Sequence, residues 1–179
     1  MGRILMRVLE EAGLLDVTER ALLGAGLAEP DLARLRGADL LLVAGLADLV
    51  RNKFHGNEVC IVTSAGLRDP SVVTVEAAPA LADGPTGADF LVEVALARLK
   101  APGTRSLGVS FDSVGLELAQ TALVFGADML FGELAGKRTL PLLDGPEARR
   151  AEIAGLCERA GRTVRFLDPA PRHAVEQRS

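Results

Sequence analysis

Carboxylate and hydroxyl side chains stand at the carboxyl end of each strand that the sequence predicts. They are Thr63 and Ser64, Glu76, Asp112 and Ser113, Glu133, and Asp168. In parallel α/β folds the ligand binds at this edge of the sheet, where the strand ends and the loops that follow them meet. Such oxygen donors suit a cationic group or a divalent metal ion. The pattern therefore predicts a ligand-binding site that contains Ser64, Glu76, Asp112, Ser113 and Glu133.

Ordinary structural roles explain the same residues when they are taken one at a time. Asp112 and Ser113 precede a predicted helix, and both residue types commonly cap helix N-termini. Glu133 and Asp168 are also typical of solvated loops. No histidine or lysine stands at a strand end, so a base poised near neutral pH is hard to identify. The recurrence of carboxylates from strand to strand is the observation that favours a site.

Short apolar runs and amphipathic stretches alternate after residue 57. They predict strands at 58–63, 72–76, 106–111, 129–134 and 163–167, and helices at 87–100, 113–125 and 146–160. The first 56 residues are predicted to be helical. The clearest helix, 39–54, carries its apolar residues on one side and ends at His55 and Gly56.

Apolar strands separated by helices are typical of an α/β fold with a mostly parallel sheet and crossover helices. A closed barrel needs eight strands and roughly 250 residues, so about five strands predict a partial TIM-barrel-like sheet or an open sheet. We expect an N-terminal helical segment (1–56), an α/β domain (57–168) and a flexible tail (169–179). Strands 58–63 and 163–167 are apolar and are expected at the edges, which predicts a homodimer formed through an edge or the adjacent helix faces.

Composition excludes several classes of partner. The chain has 179 residues, a formal net charge of −4 and neither tryptophan nor tyrosine. A negative charge and few aromatic faces argue against nucleic acid and against an anionic membrane surface. Two cysteines do not form a disulfide framework, and no apolar run approaches the roughly 20 residues of a membrane span. These features predict a cytoplasmic protein.

Other chemical motifs are weak in this sequence. His55 is expected to be a helix stop that packs at the bottom of the sheet, and its role beyond that is open. Cys60 lies in an apolar strand and is expected to be a small buried residue. No Cys-x-x-Cys or His-x-x-x-His pair is present, so no dedicated zinc site is predicted. Phosphate-binding and nucleophile-elbow motifs are also absent from the sequence.

Two long blocks of the sequence carry a resemblance to a known enzyme family. Residues 115–132 read GLELAQTALVFGADMLFG, and residues 44–59 read AGLADLVRNKFHGNEV. They resemble the last barrel helix and strand, and the N-terminal helix and first strand, of the aminofutalosine synthase and dehypoxanthine futalosine cyclase group of radical-SAM enzymes. That group acts in menaquinone biosynthesis by the futalosine pathway. Residues 160–168, AGRTVRFLD, resemble the closing segment of the same family.

The chemical centre of that family has no counterpart here. Its Cys-x3-Cys-x2-Cys motif follows the first strand and holds a [4Fe–4S] cluster. Residues 59–66, VCIVTSAG, stand in that place, and the chain has only two cysteines, Cys60 and Cys157. The acidic residues that follow Gly-Ala-Asp in the family are replaced by Met129 and Phe131. We therefore expect no iron-sulfur cluster, no cleavage of S-adenosylmethionine and no other resident cofactor.

Two classes of function remain open. The first is a cluster-less, non-radical relative, a pseudoenzyme that binds a nucleoside-like small molecule or a radical-SAM family member at the strand carboxyl ends. The alternative is a small α/β hydrolase or isomerase that uses the carboxylate rim, with or without a divalent metal ion. The missing cysteine motif favours the first class, and with it a protein that is not an enzyme. The identity of the ligand is not contained in the sequence.

Overall fold

Parallel strands and helices alternate along the chain after an all-helical N-terminal segment. The computed structural model describes residues 2–63, 72–75, 86–133 and 146–167. Its helices are α1 (Gly2–Glu11), α2 (Leu15–Leu23), α3 (Glu29–Arg36), α4 (Leu40–His55), α5 (Gly87–Lys100), α6 (Phe111–Val114), α7 (Leu116–Ala122) and α8 (Pro146–Arg159). Its strands are β1 (Glu58–Val62), β2 (Val72–Val75), β3 (Ser106–Ser110), β4 (Met129–Phe131) and β5 (Thr163–Leu167). The predicted α/β class, the parallel sheet and the N-terminal helical segment are confirmed.

The five strands form one parallel sheet in the order β2-β3-β4-β1-β5. The prediction that 58–63 is an edge strand is wrong, because β1 pairs with β4 on one side and with β5 on the other. The edges of the described sheet are β2 and β5. Residues 163–167 do form an edge, as predicted. The prediction failed because the first strand in the sequence is not the first strand in the sheet. The connection from β1 to β2 passes over two strand positions that β3 and β4 occupy.

One face of the sheet carries the main hydrophobic core. Side chains in register across all five strands point to this face, and they are Val75, Val109, Leu130, Ile61 and Phe166. From β2 to β5 the chain advances across the sheet in one direction, and right-handed crossovers then place the intervening helices on a single face. Val62 and Met129 are also buried, but they lie on the opposite face and do not belong to this core.

The N-terminal helical segment packs on the same side as the crossover helices. Helix α4 contacts α5 and the 3-10 turn Leu123–Phe125, and α3 contacts α5. Helix α1 approaches α4 closely, because Leu5 lies against Gly45, where a larger side chain would collide. A backbone hydrogen bond from Leu27 to Leu99 (2.8 Å) fixes the loop that precedes α3. The core is therefore continuous from α1 to the sheet.

Local sequence explains where the helices begin. Asp39 caps α4 by accepting from the Leu41 amide at 2.8 Å. Thr86 caps α5, and Asp89 completes a reciprocal capping box that holds the pKa of its carboxyl below the usual range. The single helix predicted at 113–125 is wrong. Gly115, with φ +83°, separates α6 from α7, and a 3-10 turn replaces the last part of the helix.

Two glycines with positive φ allow the cost of a strained backbone to be measured apart from the cost of a steric overlap. Gly161 has φ +73° and open space around the position of a Cβ atom, whereas at Gly26, with φ +86°, a Cβ atom would overlap the carbonyl oxygen of Lys100. We expect Gly161→Ala to lower the free energy of unfolding by about 1–2 kcal/mol, the cost of a left-handed alanine. Gly26→Ala should cost more, because backbone must also move. Denaturant unfolding of both variants checks this, and equal losses would contradict it.

Candidate functional site

The carboxyl ends of β1, β3 and β4 lie side by side, and backbone contacts join their loops. The Glu133 amide donates to Asp112 Oδ2 at 2.7 Å, and the Gly132 amide donates to the Val62 carbonyl at 3.1 Å. Thr63 follows Val62 directly. The side chains of Asp112, Ser113 and Glu133 are exposed. Three of the five predicted site residues are therefore brought to one edge, and Ser64 and Glu76, like Asp168, lie outside the described residues.

The contact between Asp112 and Glu133 replaces the capping role that the sequence suggested. Helix α6 has Ser110 at its N-cap, and α7 has Gly115, and neither has a side-chain cap. Asp112 instead uses one carboxylate oxygen to hold the loop after β4. Gly132 is required beside it, because a Cβ atom there would overlap the ring of Phe111. The two loops are thus held together by a hydrogen bond and by close packing.

This edge is acidic and hydroxylated. Residues 110–114 and 131–133 contain two carboxylates and two serines, and they contain no lysine, arginine or histidine. In the first turns of α8, Arg149 pairs with Glu152 at 2.6 Å, and Arg150 lies 4.5 Å from the centroid of the Phe166 ring. Arg68, Lys137 and Arg138 belong to the loops after β1 and β4 but lie outside the described residues. The described part of the edge therefore presents hydrogen-bond acceptors and hydroxyl groups.

An aromatic ring stands next to the acidic edge. Phe131, the last residue of β4, is half-buried and points to the face of the sheet opposite the main core. Its ring lies against Gly108, where a Cβ atom would come within 3.2 Å of the ring and of Val72. A flat apolar surface beside a few polar groups is the usual composition of a small-molecule site.

A separate cluster of charges is buried at the opposite, amino-terminal edge of the sheet. Asp128, 5% exposed, pairs with Arg98, which is fully buried. The same carboxylate accepts from the Leu107 amide at 2.7 Å and lies 3.3 Å from His55 Nδ1. His55 Nε2 lies 2.6 Å from the Gly103 carbonyl. His55 thus ends α4 against the bottom of the sheet, as predicted.

A second buried group adjoins the first. Asp48 Oδ1 accepts from Arg51 Nε at 2.9 Å and from Arg162 Nη2 at 2.5 Å. Arg162 also donates to Asn57 Oδ1 at 3.1 Å and to the Leu123 carbonyl. Burial is the main cause that lowers the pKa of Arg98 and of Arg162 from the ordinary range. Charges at this edge of β/α folds stabilise the fold rather than bind ligands, so we assign both groups a structural role.

Sequence reasoning missed this network except for His55. The available signal was a charged residue inside an otherwise apolar helix, as at Arg51 in α4 and Arg98 in α5. Charged side chains are almost never fully buried unless they are paired. Such residues therefore predict buried partners, although the sequence does not identify Asp48 and Asp128 as those partners.

The two cysteines do not fit the cluster that the resemblance implies. Cys60 alternates with the core residues Val59 and Ile61 and therefore faces the opposite side of the sheet, 3.4 Å from Arg165 Nη2. Cys157 is buried in the main core, and burial raises the pKa of its thiol to about 11. A [4Fe–4S] cluster is held by several thiolates in one place. Cys60 is half-buried, more open than predicted.

In the residues that the structure describes, no group of three histidine, cysteine or acidic side chains is arranged to hold a metal ion. No helix in the described ranges is long and apolar enough to cross a membrane. Comparison with protein-family models, with curated proteins and with solved structures found no match for the chain.

The Arg98–Asp128 pair allows a test of the structural role of the amino edge. We expect Asp128→Asn to lower stability by about 3–5 kcal/mol, because it leaves a buried guanidinium without a counter-charge. Combining it with Arg98→Met should cost less than the two single losses together, with a coupling of roughly 0.5–3 kcal/mol. Urea unfolding of Asp128→Asn, of Arg98→Met and of the double variant measures this coupling. Additive losses would show that the two side chains do not interact.

The positions of Cys60 and Cys157 predict the result of cluster reconstitution. Anaerobic treatment with iron and sulfide should leave the protein without a stoichiometric [4Fe–4S] cluster, because two thiols on opposite sides of the sheet cannot hold one. Iron and sulfide analysis after desalting, together with the absorbance spectrum, measures this. The Cys60→Ser variant serves as the matched control. A stable cluster in the native protein that the variant lost would contradict the prediction.

Proposed function

We propose that the chain binds a nucleoside-like small molecule at the carboxyl ends of its strands and carries out no radical chemistry. The observation that carries the proposal is the joined edge of β3 and β4. There the Glu133 amide donates to the Asp112 carboxylate and holds it in place. Phe131 is the last residue of β4, two residues before Glu133. Carboxylates held in place beside a flat apolar ring supply both parts of a small-molecule site.

The chemistry of this edge favours a nucleoside over a nucleotide. Carboxylates accept hydrogen bonds from hydroxyl groups, and an acidic residue that binds ribose hydroxyls is the usual arrangement in dinucleotide-binding folds. A base can stack on an exposed aromatic face. A phosphate group, in contrast, would meet Asp112 and Glu133, and the described residues of the adjoining loops, 110–114 and 131–133, contain no basic residue. A cationic ligand such as a sulfonium nucleoside is compatible with the same charges.

The sheet supports the resemblance to the futalosine-pathway enzymes, which remains a proposal. In a closed barrel the first and last strands pair in parallel. The two resembling blocks end in β1 and β4, and these strands pair in parallel here, with Cys60 opposite Met129. The helices of a barrel also lie on one face of the sheet, which is the arrangement of the main core here. The cysteine positions support a relative without radical chemistry.

The alternative, a small hydrolase or isomerase, draws on the same two carboxylates. Asp112 and Glu133 are both exposed at this edge and are the correct donors for a divalent cation. Catalysis would also need a third ligand or a base, and the described residues of the two loops supply neither. A ligand experiment that includes the metal ion separates this alternative from simple binding.

Titration calorimetry with adenosine, inosine, S-adenosylmethionine, adenosine 5′-monophosphate and Mg²⁺ tests the proposal. We expect one of the first three to bind, and the monophosphate to bind at least about tenfold more weakly than adenosine, which corresponds to roughly 1.4 kcal/mol of repulsion and lost solvation. Asp112→Asn and Glu133→Gln should each weaken binding. Glu158→Gln, at the far end of α8, is the matched control and should bind normally.

The outcomes of this titration are distinct. If the monophosphate binds as well as adenosine, or if Glu133→Gln has no effect, the ligand is not held by the acidic edge. If Mg²⁺ alone binds stoichiometrically and is lost in Asp112→Asn, the metal-dependent alternative is favoured. If none of the five probes binds, the proposal of a nucleoside site is wrong.

A further inference from the structure

A groove crosses the N-terminal helical segment, away from the strand ends. It lies between α1, α2 and α4 and has a volume of ≈ 760 Å³. Its base is apolar and half-buried, and consists of Met6, Leu15, Leu22 and Leu49. Its rim is formed by charged side chains of α1 alone, Arg3, Arg7 and Glu10, all exposed. The candidate ligand site uses none of these residues.

The helices that form the groove also carry large apolar side chains in solvent. Ile4 in α1 is 76% exposed, and Leu23 at the end of α2 is 79% exposed. Single exposed apolar residues are normal on a protein surface, and neither of these two lines the groove. The groove is open, and its α1 lining runs from Arg3 to Glu10 over about two helical turns, a length that suits a helix better than a small molecule.

We propose that this groove binds α1 of a second copy of the chain, with the two α1 helices antiparallel about a two-fold axis. Helix α1 presents Arg3, Met6, Arg7 and Glu10 along one face, at the spacing of successive helical turns. In a two-fold interface the same patch meets itself. The patch must therefore be complementary to its own reversed copy.

The charges of α1 meet this condition. Arg3 and Glu10 are equally distant from the midpoint between Met6 and Arg7, so a two-fold axis at that midpoint places Arg3 of each copy opposite Glu10 of the partner. Met6, next to the axis, then lies beside the partner's Met6 at the centre of the contact. A parallel arrangement would instead bring Arg3 against Arg3 and Glu10 against Glu10. Like charges placed in contact strongly disfavour association, so the sequence of α1 selects the antiparallel pairing.

Charge also selects among possible occupants. The rim carries both signs, with the basic residues at one end of α1 and Glu10 at the other, and Arg7 is paired with Glu11 at 2.9 Å. A uniformly acidic or basic partner would therefore meet repulsion at one end of the groove. A copy of α1 that runs in the opposite direction matches both ends.

Charge reversal tests the proposal, with the dimer dissociation constant measured by sedimentation equilibrium over a range of concentrations. Each interface contains the Arg3–Glu10 contact twice, so Arg3→Glu alone, or Glu10→Arg alone, creates two like-charge contacts. We expect each single variant to raise the dissociation constant at least about tenfold, equivalent to roughly 1.4 kcal/mol. The double variant Arg3→Glu with Glu10→Arg should restore dimerisation, because it exchanges the two charges.

Matched controls separate this interface from others. Glu158→Arg reverses a charge on α8 and should leave the dissociation constant unchanged, and circular dichroism confirms that every variant is folded. High salt should reduce the effect of the single reversals, because exposed charges are screened. A native protein that is monomeric at all concentrations would overturn the proposal. So would a dimer that both single reversals leave intact.

Discussion

The buried pair of Arg98 and Asp128 connects more of this structure than any other interaction in the described residues. Asp128 precedes β4. Its carboxylate accepts a hydrogen bond from the amide of Leu107, the second residue of β3, and lies close to His55 at the end of α4. Arg98 extends from α5 to the Gly126 and Arg105 carbonyls. Burying two charges costs desolvation energy, so such a pair adds little net stability. What it fixes is the relative position of four elements, α4, α5, β3 and β4, because its contacts reach all of them.

Among the described residues, the amino edge contains three buried arginines and two aspartates, and backbone carbonyls explain how the third positive charge is accommodated. Arg51 donates to the Gly56 carbonyl at the end of α4, and Arg162 donates to the Leu123 carbonyl in the turn that ends α7. The carboxyl ends of helices carry partial negative charge and unsatisfied carbonyls. In a parallel sheet all crossover helices end at this same edge. The arginines therefore act as shared caps for several helices.

The sequence predicted the elements of this fold well and their order in space poorly. Thr86, Pro102 and the apolar run of α5 are local signals, and the helix 87–100 has the predicted bounds. The interruption at Gly115 was missed, because a glycine between two helical stretches is compatible with either one helix or two. The interior position of β1 was missed for a different reason. It depends on a connection that crosses other strands, and no local pattern records that connection.

The candidate site shows the same division between local and non-local information. The carboxylates were visible at predicted strand ends, but the hydrogen bond between Asp112 and the Glu133 amide joins positions 21 residues apart. The buried arginine network could be predicted only in part for the same reason. Arg51 and Arg98 stand out as charged residues in apolar helices, but their partners come from other segments and no local pattern identifies them.

Acidity at the carboxyl edge has a structural cause that must be separated from a functional one. Helix N-termini meet there, and they favour acidic residues in their first turns. Asp89, Glu117 and Glu147 occupy such positions in α5, α7 and α8, so the fold alone accounts for them. Asp112 lies in the first turn of α6 but binds the neighbouring loop, so the dipole accounts for it only in part. Glu133 follows β4 and belongs to no helix. Since helix dipoles give no reason for its charge, Glu133 is the residue at this edge on which the proposed ligand site most depends.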